Sequence, residues 1–138
     1  MGTGKNKMKI SENDLFFKVF IFTNSYETLR QFTSMNYSIE ISNQYDEALE
    51  FILQSHKRRR FNFLLIDIAG ADLLDCIRLL FSIKNYFPEI KRVLVVNRRL
   101  SAEDETLIKE TFYADKILNL HTTNDFFTFF KTVFNEAV

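Results

Sequence analysis

Tryptophan is absent from the chain, and cysteine and proline occur once each, as Cys76 and Pro88. A single thiol excludes an internal disulfide and a cysteine-based metal cluster. Glycine occurs only three times, so no low-complexity linker divides the chain. The 138 residues fit one domain able to bury its own core without staples. A basic excess is missing too: 18 Lys plus Arg stand against 18 Asp plus Glu. A chain of zero net charge has no general pull toward nucleic acid, and none is expected as a partner. No apolar run approaches the roughly 20 residues that span a bilayer, so no membrane is expected either. Residues 1–14 are polar and hold no signal-peptide stretch, which predicts a cytoplasmic protein. They read as a flexible lead-in to a domain over 15–138. Gly2-Thr3-Gly4-Lys5 lacks the preceding strand and the spacing of a phosphate loop.

Phenylalanine is what the chain has in excess, with 16 copies. Phe16 to Phe22 reads as a buried strand, and Leu29 and Phe32 stand at helical spacing after it. Tyr37 to Ile41 alternates as a second strand, and Ser42 or Asn43 can cap a helix with the stripe Ala48, Leu49, Ile52 and Leu53. Phe61 to Ile68 is a third strand, followed by a helix over Leu73 to Phe81 and a turn at Pro88. Val93 to Val96 is a fourth strand. Ser101 caps a helix whose first turn holds Glu103, Asp104 and Glu105, suited to the positive end of its dipole. Ile117 to Leu120 is a fifth strand, and Thr122, Thr123 or Asn124 can cap the last helix. Strands alternating with helices imply a parallel sheet with right-handed crossovers and helices on both faces. This is an α/β fold, a flavodoxin-like doubly wound five-stranded sheet of order 2-1-3-4-5. Functional groups in such sheets gather at the carboxyl edge, here Thr23, Asn24, Asp67, Asn97 and the residues after Leu118.

Three anchors stand in order along this frame. Leu64-Leu65-Ile66-Asp67 places an aspartate at the end of the third strand. Glu103-Asp104 follows the fourth strand, and Ala114-Asp115 precedes the fifth. With them the chain resembles a response-regulator receiver of two-component signalling over residues 17 to 137. The resemblance implies Asp67 as phosphoacceptor. It also shows a degenerate site, a pseudo-receiver. Typical receivers carry an acidic pair after the first strand; here stand Thr23 and Asn24. The Ser or Thr after the fourth strand is Asn97, and the Lys-Pro after the fifth is Leu120-His121. The Met-Pro after the phosphoacceptor is replaced within Ile68-Ala69-Gly70.

A carboxylate attacks a phosphoryl group poorly unless developing charge is neutralised. Receivers use Mg²⁺, which asks for oxygen ligands including a carboxylate or two. Thr23 and Asn24 add no formal charge, so no cofactor is expected, Mg²⁺ included. Arg98 and Arg99 are candidates to pair with Asp67 or to hold an anion beside it. The reading that follows is a phosphorylation-independent protein-interaction module with no catalytic residues. A phosphoacceptor receiver served by a histidine kinase stays open as an alternative, as does a phosphate- or nucleotide-binding α/β protein.

Of the other conspicuous residues, Cys76 reads as core, His56 and His121 as surface, and Lys57-Arg58-Arg59-Arg60 as a solvated loop. The last helix carries Phe126, Phe130, Val133 and Ala137 as one stripe, with Phe127 and Phe134 about 100° away. That is more apolar width than a sheet consumes. Phe127, Phe134 and Lys131 are therefore expected to meet a protein partner or a second copy, on a face that receivers use for contacts.

Overall fold

The structure, a computed structural model, describes residues 17–23, 37–55, 61–68, 72–123 and 125–136. Its elements are β1 (Phe17–Phe22), β2 (Tyr37–Ser42), α1 (Tyr45–Ser55), β3 (Phe63–Asp67) and α2 (Leu73–Tyr86), then β4 (Lys91–Val96), α3 (Ala102–Phe112), β5 (Lys116–Asn119) and α4 (Phe126–Glu136). The five strands are parallel and run in the order β2-β1-β3-β4-β5, as expected. The expected helix around Leu29 and Phe32, His56 and the run Lys57–Arg60 lie outside the described residues.

Period-two alternation along each strand sorts the core into two layers. Phe20, Phe22, Leu64, Ile66 and Leu94 face Ala48 and Ile52 of α1, Cys76, Leu79, Leu80 and Ile83 of α2, and Phe112 of α3. Phe17, Val19, Ile21, Phe63, Leu65, Val93, Val95 and Leu118 face Phe126, Phe130 and Val133 of α4. Much of the phenylalanine surplus is spent here, with Phe63 and Phe130 at 4.7 Å between ring centroids and Phe17 edge-on to Phe63 at 5.5 Å. Helices thus cover both faces.

The caps are local chemistry. Asp72 accepts from the Asp75 amide at 3.0 Å to open α2, and Ser101 accepts from the Asp104 amide at 3.1 Å to open α3. The last helix corrects the expected cap. Asp125 takes that role, accepting from the Thr128 amide at 3.1 Å and the Thr128 hydroxyl at 2.6 Å. These bonds hold its carboxyl below the usual range. Thr122 and Thr123 are still in the turn after β5, where their amides donate to the Asn119 carbonyl. Helix α2 runs past Phe81 to Tyr86, with Ile83 continuing its buried stripe. Strand β4 begins two residues before Val93, because Arg92 is paired rather than solvated. The sheet edges are β2 and the four-residue β5, whose Lys116 Nζ pairs with Glu136 of α4 at 2.8 Å.

Candidate functional site at the carboxyl edge

Parallel register sets Phe22 opposite Ile66, so the next residues, Thr23 and Asp67, emerge side by side. The Thr23 hydroxyl donates to Asp67 Oδ2 at 2.8 Å. Both residues are buried, at 3% and 5% exposure. A hydrogen bond to a carboxylate in such a place is of the strong, charge-assisted kind. Cys76, buried under this edge in α2, is core as expected. Burial, with the Asp67, Asp72 and Asp75 carboxylates adding, pushes its thiol up to about 12. It is therefore protonated at neutral pH and unsuited to act as a nucleophile. Asn24 and residues 69–71 lie outside the described residues.

The other half of the edge belongs to β4 and β5. Asn97 is exposed, as are Arg98 and Arg99. Arg98 and Arg99 thus stand on an exposed loop, whereas Asp67 is buried and meets the Thr23 hydroxyl. A solvated guanidinium loses hydration on moving to a buried carboxylate, and the Thr23 hydroxyl already meets that carboxylate. Leu120 is half-buried and packs against the α4 side of the core, while its amide donates to the Val96 carbonyl at 2.8 Å. His121 is exposed, as expected.

One residue here escaped the sequence reading. Asn119 is buried, donates from Nδ2 to the Arg98 carbonyl at 2.7 Å, and accepts the His121 amide on Oδ1 at 2.9 Å. A single side chain thus ties the loop after β4 to the loop after β5. The available signal was a polar residue closing an apolar strand. Beside it Arg99, Leu100, Glu105, Asn119, His121 and Thr122 line a cavity of about 570 Å³.

Solved structures with this architecture are numerous. The signal receiver domain of an HD domain-containing protein from Pseudomonas fluorescens Pf-5 superposes with a TM-score of 0.63 at 12% identity, over 88% of this chain and 96% of that one. The chain has the receiver fold. A response regulator from Thermotoga maritima gives 0.64 at 16% identity, over 88% and 99% of the two chains. The Vibrio cholerae chemotaxis protein CheY4 gives 0.59 at 16%, over 90% and 100%. No protein-family model matches the chain, and no curated protein matches it in sequence.

Within the receiver frame the expected site residues fall at the expected strand ends. Thr23 follows β1, Asp67 closes β3, Asn97 follows β4 and Leu120 follows β5. Thr23, Asp67, Asn97 and Leu120 together offer a Mg²⁺ ion a single carboxylate. Among the described residues no three His, Cys, Asp or Glu side chains gather as a ligand set. At this edge one carboxylate oxygen is taken by a hydroxyl that brings no charge.

On α4 Phe126, Phe130 and Val133 of the expected stripe are buried, and its fourth member, Ala137, lies outside the described residues. Phe127 is half-buried, its ring 5.8 Å from Phe17, with Lys131 Nζ 6.0 Å from its centroid. Phe134 also touches Phe17, at 5.7 Å, yet remains 39% exposed. The excess apolar width is thus shared between the protein's own core and the outside.

Proposed function

We propose that this receiver-like domain is a protein-interaction module whose action does not depend on phosphorylation. The observation that carries this is the buried Thr23–Asp67 hydrogen bond. It stands where a phosphorylatable receiver gathers negative charge for a metal. With an apolar Leu120 in the place of the Lys, the described residues of this edge offer one carboxylate for a metal and no lysine for a phosphoryl group. The fold is kept and the trigger is lost, which leaves docking as the retained capacity. No catalytic residue is assigned.

Acetyl phosphate with Mg²⁺ is expected to leave the protein unmodified in intact-mass spectra. A stoichiometric phosphoryl adduct that disappears in Asp67→Asn overturns the reading. The docking face is α4, used by a protein partner or a second copy. Phe134 supplies its exposed aromatic, with Phe127 and Lys131 alongside. Phe127→Ala with Phe134→Ala is expected to weaken self-association or partner binding about tenfold or more. Sedimentation and binding isotherms on a variant that keeps its folded circular-dichroism spectrum check this. Unchanged association removes α4 as the face.

A further inference from the structure

Strand β2 ends the sheet, and among the described residues no strand lies beyond it. The Thr23 amide donates to the Ser42 carbonyl at 3.0 Å, so the backbone of Ser42, and by alternation that of Glu40 and Ser38, turns toward β1. The amides and carbonyls of Ile39 and Ile41 therefore turn outward, away from β1. Such a row of backbone groups is a template on which an extended chain can add as a further strand.

The two faces of this edge differ in chemistry. Register sets Glu40 beside Phe20, which belongs to the layer that α1 covers, so Glu40 points to the α1 side. There Glu40, Glu47 and Glu50 border a hollow of about 260 Å³ that Phe20 and Phe51 also line, their ring centroids 5.8 Å apart. On the other face Ile39 packs against the α4 layer, and Ile41, set beside Ile21, stays 43% exposed.

The charge along this edge is of one sign. Between Tyr37 and Ser55 the chain carries Glu40, Asp46, Glu47 and Glu50 and no lysine, arginine or histidine, although acids and bases balance over the whole chain. Neither Lys18 of β1 nor Arg78 and Lys84 of α2 line the hollow, and Arg78 meets Asp75 at 3.6 Å and the Tyr45 ring at 4.1 Å. Opposite charges on neighbouring strands attract and like charges repel, so this edge favours a basic strand and turns an acidic one away.

We propose that β2 docks an extended segment of a protein partner in which basic residues alternate with apolar ones. Its backbone pairs with the outward groups of Ile39 and Ile41. Its basic side chains lay their apolar stems over Phe51 and reach Glu40, Glu47 and Glu50, while the apolar residues between them cover Ile41 on the other face. The test is an amide-shift titration of the full chain, at constant ionic strength, with a peptide of about eight residues that alternates lysine with valine. Saturating shifts are expected at residues 39–42, 47, 50 and 54, while residues 127, 131 and 134 of the α4 face stay still. The same composition with its lysines in one block, or with glutamate for lysine, is expected to bind about tenfold more weakly or worse. Glu47→Gln with Glu50→Gln, both exposed on α1, is expected to weaken binding of the alternating peptide by a similar factor. N-methylation of every valine, or of every lysine, strips the donors from one edge of the peptide, so one version should lose binding and the other keep it. Linear shifts, shifts centred on 127, 131 and 134, equal affinity for the blocked peptide, equal binding by the two N-methylated peptides, or an affinity unchanged in the glutamate double variant overturn the proposal.

Discussion

Phe130→Ala is expected to lower the free energy of unfolding by about 3–5 kcal/mol. Phe130 is fully buried and joins α4 to the sheet, 4.7 Å from Phe63, 6.3 Å from Phe17 and 5.3 Å from Phe129. Truncation removes the apolar contact and leaves a void that three neighbouring rings cannot close without leaving their own packing. For a domain of this size the loss corresponds to a fall of roughly 10–20 °C in melting temperature. Phe134→Ala on the same helix is the control, since 39% of that residue is already exposed. It should cost about 1 kcal/mol or less. Chemical denaturation of the two variants side by side checks the pair. Equal losses would mean that the two layers of α4 are assigned wrongly.

Thr23→Asp should turn the quiet edge of the sheet into a pH- and metal-sensitive one. The introduced carboxyl would take the place of a hydroxyl that now donates to Asp67 Oδ2 at 2.8 Å. Two carboxylates in contact repel, so the introduced group holds its proton above the usual range near 4. A carboxyl raised in the folded state stabilises at low pH, and that stability is lost as pH rises through the raised value. The variant should therefore match the native protein below about pH 4 and lose about 3 kcal/mol by pH 7, since each tenfold gain in proton affinity is worth about 1.4 kcal/mol. Mg²⁺ at about 10 mM should restore part of that loss, because the pair now offers two carboxylates. The native melting temperature should not respond. Thermal melts across pH, with and without the ion, decide it: a variant as stable as the native protein at pH 7, or an equal Mg²⁺ response in both, contradicts the assignment.

The strands were legible because a sheet covered on both faces demands nearly unbroken apolar runs, and Phe63–Asp67 and Phe17–Phe22 supply them. The site positions follow from strand ends, because parallel register sets the residues after Phe22 and Ile66, Thr23 and Asp67, side by side. Less was legible where polar side chains are buried by pairing. Arg92 precedes the apolar run Val93–Val96 that reads as the strand and lies inside that strand, held by Asp115 and the Tyr113 carbonyl. Asn119 looked like an ordinary strand residue and is the tie between two loops. Both depend on partners more than twenty positions away, which no local pattern encodes. Arg98 and Arg99 follow β4 closely enough in the chain to suggest an ion pair with Asp67, and both stand exposed on their loop.

The two outer strands also decide how copies of this protein can meet. An open strand edge is a template for backbone pairing and, unguarded, for fibril growth. Here β5 is only four residues long and is flanked by the Lys116–Glu136 pair, while Glu40, Glu47 and Glu50 gather around the hollow beside β2. Copies approaching along β2 would bring like charges together before any backbone bond formed, and β5 would offer too little length to hold. A crowded solution of this protein is thereby steered away from cross-strand stacking, and side-by-side contact is left to its helices.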